Sequence, residues 1–422
     1  SSAFLKAVSQ LGQRRRVVTS KAIFNHQGIK LLEGGVKVDE KLYDRLVAHR
    51  LNVSLGESVD CDAPVTGQML REASEETMAR MPFFAAMGPP GRMRSILLQA
   101  IEAIALPPPV AFLLTLARET RPGMFEHAIM MALLCAHLVR ESGAPIHDMT
   151  VAATAGLLHD LGMLHIDPEL LEAGTRLSGD ERRPIDAHPM TSSMLIARFH
   201  EYSRSIPRAI LEHHELLDGT GYPRGLAGDA ISPLGRLLSL AEVVTAMFDG
   251  GRKFPEQRVS LLLRVSPDRY DSSLVPSIHR LLQALPVSDA DVDETVTELV
   301  DRLRSLADLM TRWRGVADES AAALDATGQA VLTTVSGEVE ALQRMFAGAG
   351  VTAGQLDMLA QSDSPDAAFR AELWTLSREL QWHLRSTAHQ FNRRWRAGAG
   401  AQAIPPAVSA WTDAVGASEL AV

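Results

Sequence analysis

Cysteine is nearly absent from this 422-residue chain: Cys61 and Cys135 are the only two. That is too few for a disulfide framework and is expected of a reducing compartment. A basic excess is missing as well. The formal net charge of −9 argues against a partner that is a DNA or RNA polymer and against a general membrane-surface role. The sequence opens with no charged, apolar and small-residue leader, so secretion is not expected. Long apolar runs are lacking too. Ile101 to Ala117 is largely apolar, but it holds Glu102 and Pro107-Pro108-Pro109. A bilayer-spanning helix needs about 20 apolar residues, and three prolines would break this one. We read two short core helices flanking a rigid connector, in a cytoplasmic protein with no membrane partner. What remains is ordinary for a globular chain: 46% hydrophobic and 22% charged residues, with length enough for two or three domains.

The pattern along the chain predicts a mainly α protein. Residues 1–65 differ from the rest. Val17-Val18-Thr19 and Ala22-Ile23-Phe24 are short β-type runs, with a turn at Asn25-His26-Gln27-Gly28 and alternation at Val36 and Val38, which together predict a small α+β module. Leu42, Leu46 and Val47 have helical spacing. From 66 to 286 helices dominate, including Phe125 to Glu141 and Ala152 to Met163, and a turn-rich loop runs from Leu217 to Pro233. Residues 287–398 predict a long-helix bundle. Val292, Val296, Leu299, Leu303, Leu306, Met310 and Trp313 form a heptad seam. Val331, Val335, Val339 and Leu342 mark a second helix, and Phe369, Leu373, Leu376, Leu380 and Leu384 a third. Breaks are expected around Gly315 and across Gly348 to Pro365. The bundle would serve as an extra core domain or as a dimerisation stalk that makes a homodimer. Residues 399–422 are expected as a flexible tail.

Seven groups carry the chemistry: His127, His159, Asp160, His188, His213, His214 and Glu242. Imidazole with carboxylate suits transition metals. A single zinc takes four ligands, so seven groups with one carboxylate free to bridge suggest two metals side by side. Paired metals about 3.5–4 Å apart are a common apparatus for cutting phosphodiesters. A lone histidine is more often a satisfied core or surface group, and His137, His200 and His279 are left in that class.

Three stretches resemble the HD-GYP family, a branch of the HD metal-dependent phosphohydrolases. They are His159-Asp160-Leu161-Gly162, Ala187-His188-Pro189, and His213-His214-Glu215-Leu216-Leu217-Asp218-Gly219-Thr220-Gly221-Tyr222-Pro223-Arg224-Gly225-Leu226. The resemblance covers roughly residues 110–285. It implies a helical HD core whose seven ligands hold two, sometimes three, divalent ions, with Asp160 bridging. It favours iron or manganese, and zinc or nickel suit the same donors. It also implies hydrolysis of the cyclic dinucleotide cyclic di-GMP to the linear dinucleotide or GMP. Asp218, Tyr222 and Arg224 lie on the loop that could cover substrate, with Arg224 the best phosphate contact because its fork matches phosphate oxygens.

The sequence departs from the family pattern in four places. Met163 stands where the family has lysine. Glu242 replaces an aspartate, Thr245 replaces a second aspartate, and Gly123 stands where a carboxylate could help hold a third metal. His165 could take over an acid or phosphate-contact role. These departures keep two other readings open: a catalytically weakened protein that binds cyclic di-GMP and signals, and an HD hydrolase for a different nucleotide.

Overall fold

The computed structural model describes residues 2–38, 58–171, 179–249, 253–265, 268–285, 292, 294–348, 356, 358, 367–395 and 403–417. The helix expected around Leu42 to Val47 lies outside them. The described chain is mainly helical and divides into two units. The first comprises residues 1–252 with 268–285, and the second 253–267 with 286–422.

The first unit opens with α1 (Ser2–Arg14), which the sequence reading missed. Strand β1 (Val17–Thr19) falls on the expected run; β2 (Ile23–Phe24) and β3 (Lys30–Leu32) form a hairpin around the expected turn. β1 pairs antiparallel with β4 (Val59–Cys61). Asn25 closes the hairpin turn by accepting from the backbone of Gln27 and Ile29. The helices then follow: α2 (Gly67–Arg80), α3 (Pro82–Ala86), α4 (Arg92–Glu102), α5 (Pro108–Thr120), α6 (Pro122–Glu141) and α7 (Ile146–Leu158). Pro108 and Pro109 sit in the first turn of α5, where their missing N–H groups cost nothing. α6 is buried from His127 through Leu138. Among the described residues it is the helix long and apolar enough to cross a membrane, yet most of its surface is covered by protein, as in a core helix that is apolar all round. α7 packs along it.

The helix expected from Ala152 to Met163 breaks at His159. α7 ends at Leu158, and Leu161–His165 forms a 3-10 turn. α8 (Gly179–Asp186), α9 (His188–Ile196), α10 (Ser205–Glu212), α11 (Pro233–Thr245) and, after the segment that belongs to the second unit, the helix Val275–Gln283 complete this unit.

The second unit has its own apolar core. Helices Pro255–Val265, Val296–Ala321, Ala326–Gly348, Ala367–Arg394 and Pro406–Ala417 build it. The heptad residues Leu299, Leu303, Leu306, Met310 and Trp313 are all buried in that core. Two expectations are corrected here. The helix runs through Gly315 to Ala321; a mid-helix glycine costs only about 1 kcal/mol, which a long packed helix tolerates. The residues expected as a flexible tail contain a helix, because Val408, Trp411 and Val415 bury themselves in the core and the Trp411 indole donates to the Leu309 carbonyl at 2.8 Å.

Candidate metal centre

Both histidine-led pairs stand at helix C-termini, where the last carbonyls lack partners within the helix. His159 caps α7, and its Nδ1 donates to the Gly156 carbonyl at 2.7 Å. His213 caps α10, and its Nδ1 donates to the Ile210 carbonyl at 2.6 Å. His188 opens α9 with Nδ1 on the Ile185 carbonyl at 2.5 Å. One bond therefore satisfies a terminal carbonyl and selects the tautomer whose Nε2 lone pair faces inward. Backbone carbonyls commonly orient metal-ligating histidines this way. His127 comes from α6 and Glu242 from the last turn of α11.

Gly162 lets these elements meet. A Cβ there would lie 2.6 Å from the His188 carbonyl oxygen and 2.8 Å from Ser192 Oγ. Its N–H donates to that same Ser192 Oγ at 2.8 Å, tying the 3-10 turn to α9.

The seven groups that the sequence singled out as ligands come together in two clusters. His127, His159 and Glu242 form one; His188, His213 and His214 form the other; His159, Asp160 and His213 link them. Within each cluster the donor atoms lie within 4.8 Å of one another. Asp160 spans the two. Its Oδ2 is 3.4 Å from His159 Nε2, while its Oδ1 is 3.0 Å from His188 Nε2 and 3.8 Å from His213 Nε2. Glu242 Oε2 lies 3.0 Å from His127 Nε2 and 3.2 Å from His159 Nε2.

This arrangement fits metal ions on its own geometry. His159 Nε2 and Asp160 Oδ1 are buried and close to opposite charge, yet neither makes an aligned hydrogen bond. His188 Nε2 and His213 Nε2 face each other at 3.2 Å. Both rings have committed Nδ1 to a carbonyl, so these two lone pairs repel unless a proton or a cation joins them. The electrostatics agree. Burial opposes charge on Asp160 and Glu242, but the surrounding imidazoles hold both carboxyls well below the usual range. Burial likewise opposes charge on His127 and His159. Glu242 and Asp249 hold His127 well above its ordinary value, and Asp160 with Glu242 lifts His159 to about 9. Burial and neighbouring imidazoles push His213 far down, and burial takes His214 to about 4. The centre is a buried nest of donors with two fixed negative charges, as a divalent site requires.

The loop after α10 is held from beneath by two buried carboxylates. Glu215 accepts the backbone N–H groups of Arg224 and Leu226, each at 2.8 Å. Glu212 accepts from the Ser232 N–H at 2.8 Å and from Arg224 Nη2 at 3.0 Å. Arg224, expected as a phosphate contact, thus donates to Glu212. Gly221 presses against α10's end, where a Cβ would come 2.4 Å from the His214 carbonyl oxygen. The Tyr222 ring stacks on His214 at 4.6 Å, and the Tyr222-Pro223 peptide is cis. Asp218 accepts from Thr220 N–H at 2.9 Å and from Arg269 Nε at 3.0 Å, so it shapes its own turn. His165 stacks on Phe4 at 4.6 Å rather than lining the centre. Thr245 turns back to the Ala241 carbonyl at 2.8 Å.

A cavity of about 750 Å³ opens beside the centre, bounded by His127, Asp160 and Glu242 together with Met163, Gly123 and Arg121. The sequence reading missed Arg121 and Asp249. Asp249 Oδ2 sits 3.0 Å from His127 Nδ1. It lies past the end of α11, where a lone aspartate carries no signal in sequence. Glu212 and Glu215 were likewise not singled out.

Residues 112–274 match the HD domain family. A 3'3'-cGAMP-specific phosphodiesterase of Vibrio cholerae is 33% identical over 161 residues, 37% of each chain. A cyclic di-GMP phosphodiesterase of Pseudomonas aeruginosa is 30% identical over 154 residues, 36% of this chain and 37% of its own. The match thus spans little more than a third of either relative. A solved HDG"Y"P protein from Bdellovibrio bacteriovorus aligns over 64% of this chain and 94% of its own with 14% identity and a TM-score of 0.36, too distant to bear on the fold.

Proposed function

We propose that residues 112–274, which match the HD domain family, form an HD-GYP-type domain, and that the protein is a metal-dependent phosphodiesterase that hydrolyses cyclic di-GMP to the linear dinucleotide or GMP. The observation that carries this reading is the pairing of two donor clusters across one carboxylate, Asp160. His127, His159 and Glu242 would hold one ion; His188, His213 and His214 the other; Asp160 would bridge. Iron or manganese is favoured, and zinc or nickel suits the same donors. Two such ions supply Lewis acidity for attack of water on phosphorus and offset the charge of the phosphoryl oxygens.

The chain's own residues do the rest. The carbonyl-anchored rings of His159, His188 and His213 fix the donors before substrate arrives, so little reorganisation remains for the reaction itself. Glu215 and Glu212 hold the 218–226 loop in place, and Tyr222 covers the outer face of His214. In the reaction a water oxygen bonds to phosphorus, the bond to the 3′ oxygen breaks, and the water's proton ends on that leaving oxygen.

Met163, a thioether on the cavity wall, favours a second reading: a protein that binds cyclic di-GMP without turning it over. One measurement separates them. Protein purified without oxygen is analysed for metal per chain and assayed with cyclic di-GMP and 3'3'-cGAMP. Two metals with a linear product support the phosphodiesterase. Saturable binding without product supports the second reading, and neither binding nor product overturns both.

A further inference from the structure

Arg121 stands at the N-terminus of α6, on the cavity beside the metal centre. Its Nη1 donates to the Met163 carbonyl at 2.7 Å and its Nη2 to the Ile166 carbonyl at 2.5 Å. Those bonds bring the guanidinium to the backbone of the residue that stands in place of the family lysine. A guanidinium has five N–H donors, so three remain. The group is half-buried, and burial works against its charge. Even so, no carboxylate of the described residues pairs with it; Asp167 attracts it from farther off. The acids around the cavity are otherwise engaged: Glu126 pairs with Arg80, Asp249 faces His127, and Asp160 and Glu242 belong to the centre. Arg121 is the one arginine or lysine among the described residues lining this cavity.

A half-buried cation without a carboxylate, facing a cavity beside a two-cluster centre, awaits an anion. Backbone carbonyls orient it but do not neutralise it. We propose that Arg121 is a phosphate-binding residue of this cavity, contacting a phosphate of the cyclic dinucleotide and supplying the cation that Met163 does not. The assignment rests on the cyclic-dinucleotide reading. A dianionic ring has two phosphates, and one held at the centre leaves the rest of the ring over the cavity, where a planar fork suits phosphate oxygens.

The test compares the full-length, metal-loaded protein with Arg121→Gln, Arg121→Lys and the double variant Arg121→Gln/Met163→Lys. Metal per chain, the Kd of a fluorescent cyclic di-GMP and, where product forms, KM and kcat are measured. Arg121→Gln should keep its metal and weaken binding about 10–100-fold, as loss of a charge-assisted contact does. Arg121→Lys should bind more tightly than Arg121→Gln, and Met163→Lys, a cation restored beside the same backbone, should recover part of the lost affinity. Unchanged Kd and KM in Arg121→Gln overturn the assignment. So does loss of metal in Arg121→Gln that Met163→Lys does not repair, since that marks a merely structural role. Wild-type protein that holds metal but binds no cyclic di-GMP overturns the functional reading itself, a result seen before position 121 is altered.

Discussion

At the scale of single residues, His127 has beside it a carboxylate outside the two donor clusters. Asp249 lies 3.0 Å from its Nδ1 while Nε2 faces Glu242. Partners of this kind fix ring orientation and raise ligand basicity, and losing one typically costs 10–100-fold in metal affinity. Asp249→Ala should therefore weaken metal binding by about tenfold or more in a chelator competition, with the fold intact by circular dichroism; equal affinity would remove Asp249 from the site. His137, on the same helix, answers a different question. Burial first, then Arg140, pushes its pKa down to about 4. In the unfolded chain it titrates near 6.5. Between these values the unfolded state binds more protons, so stability is full above about 6.5 and falls as pH drops towards 4. Metal-free wild type should lose more thermal stability than His137→Gln over that window, and parallel curves would refute the claim. The seven clustered side chains were legible because imidazole and carboxylate types recur in recognisable neighbourhoods. Asp249 and Arg121 were not, since one charged residue near a helix end looks the same in sequence whether it faces solvent or a cavity.

At the scale of elements, helix ends explain more of the site than helix faces do. The sequence pattern placed His159 and Asp160 inside one helix, Ala152 to Met163. In the structure α7 stops before them, and Asp160 takes non-helical backbone angles. The pair can converge because the helix ends there. Apolar periodicity continues past His159 through Leu161 and Leu164, both buried, so pattern alone could not reveal the stop. Gly315 shows the opposite error: a breaker by type that breaks nothing. A Cβ added there would meet nothing within 4 Å. Gly315→Ala should consequently stabilise the second unit by about 0.5–1 kcal/mol, read as a higher denaturation midpoint with unchanged slope. A destabilised variant would mean that the glycine serves a contact not visible in the fold.

At the scale of the whole molecule, the donor clusters lie in one unit and the heptad helices in the other. The sequence pattern changes near residue 287, from scattered helical spacing to a 4-3 seam, but residues 253–267, expected with the first part, belong to the second unit. It did not show that the N-terminal strands share a unit with the metal centre. Contacts far apart in sequence, such as Phe4 on His165 and Arg15 on Glu119 at 2.6 Å, leave no local signature. Nor did it show the closing helix, whose Trp411 ring lies 4.5 Å from Trp313. Because the second unit has a core of its own, damage there should stay there. Trp411→Ala removes a buried indole and its bond to Leu309, a loss of about 3–5 kcal/mol. It should lower the unfolding midpoint of the second unit while metal per chain stays at the wild-type value. Both are measurable on one sample, by calorimetry and elemental analysis. Loss of metal alongside loss of the C-terminal helices would show that the centre draws its stability from the whole chain and that the two units do not unfold independently.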